Sequence, residues 1–397
     1  EDKNVEDFGA ALTKAALTEN TLELPDGTCF LGRPELASKI FIRPCYRKLS
    51  ELILGGASGG TWLNIVVTGT PGIGKSIFGF FLLYLLRLRG KSVVYEWKGS
   101  WYRFSDEGSV RARQFSDFVG AGYLGDPNSW YLSDPKDQPE EIFSGTTVVL
   151  VSPKSARVNQ FMKQGKSRRL FMPVWLEDEL LECGKLVFPH VTSTTVKDAF
   201  REIGGVARGV FDKDKLEQIK EKMEKTVSKK DYLVLLEAAA SGGSGTASTD
   251  VVGDSLFHMF PRDLYHMFPR DEKDYDDYVV DFASERAKEL VSKQVKKMSK
   301  PALKSVLSYA LGDKRAQPVG AFLFECHAHE EIGEAPRDFG MMVLTPGGKF
   351  DLGADLLKLD FCGTEEFGGG QTFPEQELER GTYYYPRCTN FPAIDSF

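Results

Sequence analysis

Between residues 62 and 151, apolar β-branched stretches alternate with helical stretches and turn residues. Trp62-Leu63-Asn64-Ile65-Val66-Val67-Thr68 has the texture of a strand buried on both faces. Ile77 to Leu86 is dense in Leu and Phe and free of Pro, which predicts a buried helix. Gly90 breaks that pattern, and Lys91 to Trp97 reads as a second strand. A third is Trp130-Tyr131-Leu132-Ser133, closed by Asp134-Pro135; a fourth is Thr146 to Val151, closed by Ser152-Pro153. Strands alternating with helices predict βαβ units and a parallel sheet covered on both faces. Upstream, Tyr46 to Leu54 reads as a short amphipathic helix and Gly55 to Gly60 as a loop.

Past the fourth strand the texture changes. Residues 195–240 read as helical, with a charged stretch from Asp212 to Lys230 that predicts a solvated face. Ala238 to Asp250, with its Ser-Gly-Gly-Ser-Gly-Thr, reads as a linker or mobile loop. Leu256-Phe257-His258-Met259-Phe260-Pro261-Arg262-Asp263 is then nearly copied as Leu264-Tyr265-His266-Met267-Phe268-Pro269-Arg270-Asp271. Two copies of eight residues are too few for a solenoid, and the duplication is expected to lengthen a loop rather than to pair histidine ligands. A helix is predicted from Tyr275 to Met298. From Pro301 onward short elements stand among glycines and turns, with Gly320 to Glu325 an apolar helix or strand.

Composition narrows the class. Hydrophobic residues at 42% and charged residues at 27% over 397 positions describe a soluble globular chain of two or three domains. A net charge of −7 argues against a generally basic nucleic-acid binder. Arg157, Lys163, Lys166, Arg168 and Arg169 form a local basic run, read as a solvated loop with DNA contact as the rival. The six cysteines (Cys29, Cys45, Cys183, Cys326, Cys362, Cys388) make no C-x-x-C pair, so neither zinc nor a disulfide framework is indicated and reduced thiols are expected. The apolar run Ile77–Leu86 is too short to span a bilayer, and no membrane association is expected. The N-terminus carries no signal-like stretch and lacks Met, and the last residues begin an apolar segment; a longer natural protein is expected from both.

The chemistry concentrates between the first strand and its helix. Gly69-Thr70-Pro71-Gly72-Ile73-Gly74-Lys75-Ser76 matches G-x-x-x-x-G-K-[ST] in the strand–turn–helix context that a phosphate-binding loop requires. Its glycines let the backbone wrap phosphates with amides inward, and the helix start adds N–H donors and a partial positive charge. Lys75 is expected on the β- and γ-phosphates of ATP or GTP, and Ser76 on Mg²⁺.

The ordered set Leu31-Gly32-Arg33-Pro34-Glu35, Ile42-Arg43-Pro44-Cys45-Tyr46, the phosphate loop, Trp130 to Asp134, Leu150-Val151-Ser152-Pro153-Lys154, Met172-Pro173-Val174-Trp175 and Gly204-Gly205-Val206-Ala207-Arg208 resembles the Crinkler effector family, related to the retrotransposon hot spot proteins. The resemblance implies an α/β P-loop NTPase with a helical lid over 1–240, a linker and helical segment over 241–300, and a truncated α+β restriction-endonuclease-like domain over 301–397. It implies secretion and action in a host cell, in its nucleus, where host DNA or nuclear proteins are partners. Self-association is expected as well, since P-loop ATPases often complete their sites with a neighbour's Arg.

The resemblance also assigns residues. Asp134 matches the second-motif acid and would hold the magnesium water shell, against a plain Asp-Pro turn. Ser152 sits where a sensor of the γ-phosphate would be. Arg208 would neutralise the transferring phosphate; related proteins read Gly-Gly-x-Pro-Arg where this chain has Ala207, and a surface salt bridge is the alternative. No residue stands out as the water-activating base, and Glu96 is taken as the candidate from its place at the end of the neighbouring strand, not from the resemblance. Glu325 and Asp395 match carboxylates of the nuclease-like domain, whose remaining partner is expected beyond Phe397; His327 and His329 stand nearby. The expected activity is magnesium-dependent NTP hydrolysis that gates DNA cleavage or host cell death in the full protein. A non-catalytic nucleotide switch and a DNA-binding effector are the alternatives.

Overall fold

The computed structural model describes residues 3–25, 27–112, 116–136 except 121, 124 and 127, 145–152, 161–228 except 164, 236, 255–261 and 275–334, with short strands beyond. Its centre is a seven-stranded sheet. The chain enters through α1 (Lys3–Leu12) and a small antiparallel sheet of β1 (Ala16–Leu17), β2 (Thr21–Glu23) and β3 (Lys39–Phe41). Helix α2 (Pro44–Ser58), started by Pro at its first position, leads to β4 (Asn64–Thr68), the loop, and α3 (Lys75–Leu88).

After α3 come β5 (Val93–Trp97), β6 (Ser100–Ser105), β7 (Gly108–Ala112), the short α4 (Ser116–Gly120), β8 (Trp130–Asp134), β9 (Thr146–Leu150) and β10 (Ser167–Phe171). They assemble in the order β10-β4-β9-β8-β5-β6-β7. The first five of that order run parallel, while β5–β6 and β6–β7 pair antiparallel. The four strands read from sequence are all present, each shifted by two residues or fewer at its ends. Chain order does not match spatial order: β9 and β8 are inserted between β4 and β5, and β10 lies on the other side of β4. An open parallel sheet receives ligands beyond the carboxyl ends of its strands, where the order reverses. Here those ends carry the loop, Ser152, Asp134 and Trp97.

Helices α5 (Glu177–Val187), α6 (Ser193–Ile203), α7 (Ala207–Val210) and α8 (Lys213–Ser228) follow as a helical layer. The expected helical stretch is thus broken at Gly204-Gly205. The helix predicted from Tyr275 to Met298 is corrected. Tyr278–Phe282 is a strand, β12, paired antiparallel with β11 (Phe257–Pro261), and only Glu285–Val295 is helical (α9). The β-branched Val279-Val280 suits the pairing, and Ser284 caps the helix, its Oγ accepting from Ala287 N at 3.2 Å. Helices α10 (Lys300–Gly312) and α11 (Gln317–Glu334) come next; the apolar run Gly320–Glu325 is helical.

One cluster of buried side chains runs from Val5 through the loop strand to Leu323 and crosses positions 240 and 300. Phe171 and Tyr278 have ring centroids 4.6 Å apart, and Phe171 N donates to Tyr275 O at 2.7 Å. Beyond α11 the described backbone forms three strand pairs: Arg337–Gly340 with Leu356–Leu359, Val343–Leu344 with Phe350–Asp351, and Gly363–Phe367 with Thr382–Pro386. The linker at 238–250 (Leu236 aside), the second repeat copy at 264–271, Arg157 and Asp395 lie outside the described residues. The first repeat copy contributes β11.

Candidate functional site

The loop's shape follows from where its carbonyls go. Those of Gly69 and Thr70 accept from Lys75 Nζ at 2.7 and 2.9 Å. The Gly72 carbonyl accepts from Arg208 N at 3.2 Å. The Ile73 carbonyl accepts from Trp175 Nε1 at 2.7 Å and Arg43 Nη1 at 3.5 Å. That of Gly74 accepts from Tyr46 Oη at 2.8 Å. With the carbonyls drawn to these donors, the amides of Gly72, Ile73 and Gly74 donate to no acceptor among the described residues. Successive inward amides at the start of a helix form an anion-binding nest. Gly74 holds φ +100°, and a Cβ there would stand 2.3 Å from Tyr46 Oη, so both conformation and space require glycine.

A cavity of about 1000 Å³ opens over this loop. Pro71, Gly72, Gly74, Lys75 and Ser76 line it together with Asp134, Ser152 and Arg208. Its apolar lining includes Ile40 and Phe41 from the small sheet and Phe188 and Phe211 from the helical layer. Five cationic side chains and two carboxylates line it, against a net −7 for the whole chain. That gradient of sign favours an anion.

Asp134 ends β8 in register with Trp97 of β5. Burial pushes its carboxyl above the usual aspartate range, opposed by a hydrogen bond from Ser76 and by the charges of Lys98, Lys75 and Arg208. Its Oδ2 is buried without a hydrogen-bond partner among the described residues. A hydroxyl and an under-satisfied carboxylate side by side suit a divalent cation that brings its other ligands from phosphate and water. Among the described residues no group of three or more His, Cys, Asp or Glu is gathered as an all-protein metal cage.

Glu96 does not join this group. It does not line the cavity, and its Oε2 accepts from Tyr131 Oη and Ser133 Oγ, both at 2.6 Å. The pair ties the end of β5 to the end of β8, which makes Glu96 a brace rather than a group facing the cavity. Glu325 lies on α11 and is half-buried; His327 shares that helix. In the basic run, Arg168 Nε donates to Asp276 at 2.7 Å and its guanidinium covers Trp62, while Lys163 and Lys166 are exposed.

Sequence reasoning quoted Arg43, Tyr46 and Trp175 without giving them work. Arg43 is 1% exposed and donates to the carbonyls of Pro173 and Val174 at 2.9 and 2.8 Å, and to both oxygens of Glu179. The buried Arg–Glu pair joins the loop's back face to α5 of the helical layer. Burial pushes the thiols of Cys45 and Cys183 up to about 12, which leaves them as inert packing groups. Cys29, Cys45, Cys183 and Cys326 are free thiols. No helix among the described residues is long and apolar enough to cross a membrane.

No protein-family profile matches the chain. Crinkler effector protein 16 of Phytophthora infestans is 26% identical over 302 residues, which cover 74% of this chain and 46% of that protein. Crinkler effector protein 15 of the same organism is 25% identical over 374 residues, covering 90% and 56%. The chain therefore spans about half the length of the curated relatives it matches. On that likeness of sequence the chain is homologous to Crinkler effector proteins 15 and 16.

Proposed function

We propose that this chain binds a nucleoside triphosphate with Mg²⁺ in the cleft over residues 69–76 and hydrolyses it slowly. The observation that carries this is the nest itself: amides of Gly72, Ile73 and Gly74 with no acceptor among the described residues, facing a cationic cavity beside Ser76 and Asp134. The nest would take the phosphates, Lys75 would leave its loop carbonyls for the β- and γ-phosphates, and the apolar lining would take the base. Ser76 and Asp134 would hold Mg²⁺, which supplies charge neutralisation on the transferring phosphate. Arg208, exposed at the rim, would cover the terminal phosphate.

In the whole protein, secreted and acting in the host nucleus, nucleotide turnover would gate DNA cleavage or host cell death. Host DNA or nuclear proteins would be the partners. Thermal shift with Mg-ATP and Mg-GTP tests the site. The wild type is expected to gain several degrees in Tm with one of them, and Lys75→Ala to gain none. An equal gain in both proteins would remove the loop from the assignment.

One observation favours a second reading, a nucleotide-dependent switch without turnover. Glu96 is held by Tyr131 and Ser133, so among the described residues no carboxylate lines the cavity besides Asp134 and Asp212. Phosphate release that disappears in Asp134→Ala supports the enzyme; tight binding with no release in the wild type supports the switch.

A further inference from the structure

The two-residue turn between β5 and β6 is strained in an uncommon way. Trp97 pairs with Ser100, leaving Lys98 and Gly99 as the turn. Both have positive φ, +49° and +81°. A tight hairpin of this kind favours Asn, Asp or Gly at its first position, and a long β-unbranched cation there is unfavourable. Non-glycine residues in the left-handed region persist where the surrounding structure holds them there, and they cluster at ligand-binding sites.

The turn's position shows what that side chain can reach. Trp97 is in register with Asp134, and Lys98 N donates to Asp134 O at 2.9 Å. The brace from Glu96 to Tyr131 and Ser133 fixes the same register one residue earlier. Lys98 therefore stands one strand spacing from Asp134, about 4.8 Å, at the carboxyl edge where the cavity opens. It lines that cavity together with Lys75, Asp134 and Arg208, and its charge is felt at the Asp134 carboxyl. Its ammonium rests 4.6 Å from the centroid of the Trp97 ring, whose other cation is Arg33 at 4.8 Å. Among the described residues Lys98 forms no ion pair.

We propose that Lys98 contacts the terminal phosphate of the bound nucleotide and, with Lys75 and Arg208, makes the site prefer a triphosphate over a diphosphate. The inference rests on the nucleotide reading above and deepens it. The nest and Lys75 hold the phosphates nearest β4. Asp134 and Lys98, two and three strands away in the sheet, face the far end of the phosphate chain. A diphosphate would leave Lys98 resting on Trp97; a triphosphate would draw it off the ring.

The test compares wild type with Lys98→Met, Lys98→Gly and Lys98→Arg. Lys98→Gly keeps the turn and relieves its strain, so its fold is secure. Calorimetric affinity for the better bound of Mg-ATP and Mg-GTP, affinity for the matching diphosphate, and phosphate release are measured in each. Lys98→Met and Lys98→Gly are expected to lose triphosphate affinity by about tenfold or more, the weight of a charge-assisted hydrogen bond. Their diphosphate affinity stays within about twofold, and Lys98→Arg retains most of the preference. Variants that keep the triphosphate preference and the turnover of a nucleotide-binding wild type would reduce Lys98 to a turn residue and overturn the proposal, with the site reading intact. A wild type that binds neither nucleotide would overturn both.

Discussion

Arg43 shows why part of the site is silent in sequence. It belongs to a segment that carries the resemblance, yet nothing in its neighbours Ile42 and Pro44 assigns it a role. Its partners are Ile73, Pro173, Val174 and Glu179, up to 136 positions away. The octapeptide, by contrast, carries its chemistry locally: glycines, lysine and serine are needed at fixed spacing, so the loop is legible from a single line of text. Asp134 lies between these cases, a strand-end acid whose neighbourhood only the sheet reveals. Burial raises its carboxyl pKa in the folded chain, so the ionised form costs stability above that pKa and the cost vanishes once both states are protonated at low pH. Asp134→Asn is therefore expected to raise the Tm of the nucleotide-free protein at pH 7, with the gain shrinking as pH falls toward the ordinary aspartate range. Scanning calorimetry across that range checks it; a gain that grows toward acid would contradict the buried-carboxylate account.

Elements with one strong period were read well, and those decided by tertiary contacts were not. The strands β4, β5, β8 and β9 are rich in apolar residues and buried along nearly their whole length, because both their faces are covered. Strand β10 (Ser167–Phe171) carries two arginines after Ser167 and looked like a basic loop; it pairs with β4 at the edge of the sheet and turns Arg168 toward Asp276. Strand β12 precedes a good helix, and the joint at Ser284 was hidden by an acidic run on one side and a helical pattern on the other. Strand β11 brings a liability. His258 is 2% exposed, its Nδ1 has no hydrogen-bond partner among the described residues, and burial pushes its pKa down to about 3. The unfolded chain takes up this proton below the usual histidine pKa while the folded chain refuses it, so stability present at neutral pH is lost as pH falls from about 6.5. Between pH 7 and 4.5 the wild type is expected to lose on the order of 2–3 kcal/mol more than His258→Phe. Urea melts at both pH values measure the difference; parallel losses would mean that His258 finds a proton acceptor.

At the scale of the molecule, the resemblance divided the chain near 240 and 300, while the buried cluster runs on to Leu323. Tyr278, Val280 and Phe282 are each below 5% exposed, and full burial of such side chains stabilises by about 2 kcal/mol apiece. A chain ended at residue 250 uncovers Phe171 and the back of the helical layer. It is expected to lose the full chain's cooperative thermal transition or to melt at least about 10 °C lower. A truncated chain with an unchanged Tm would establish 1–240 as self-sufficient. Composition does not mark these positions, because buried residues on both sides of them belong to the same cluster. The cleft has one further consequence. Of the five tryptophans, Trp97 and Trp175 line it, one lying under two cations and the other bonded through its indole N–H to the loop. Any anion that draws Lys98 off its ring, or moves the Ile73 peptide, changes the electric field at an indole. The protein thus carries its own optical probe of occupancy, and its ultraviolet emission follows the cleft without a dye.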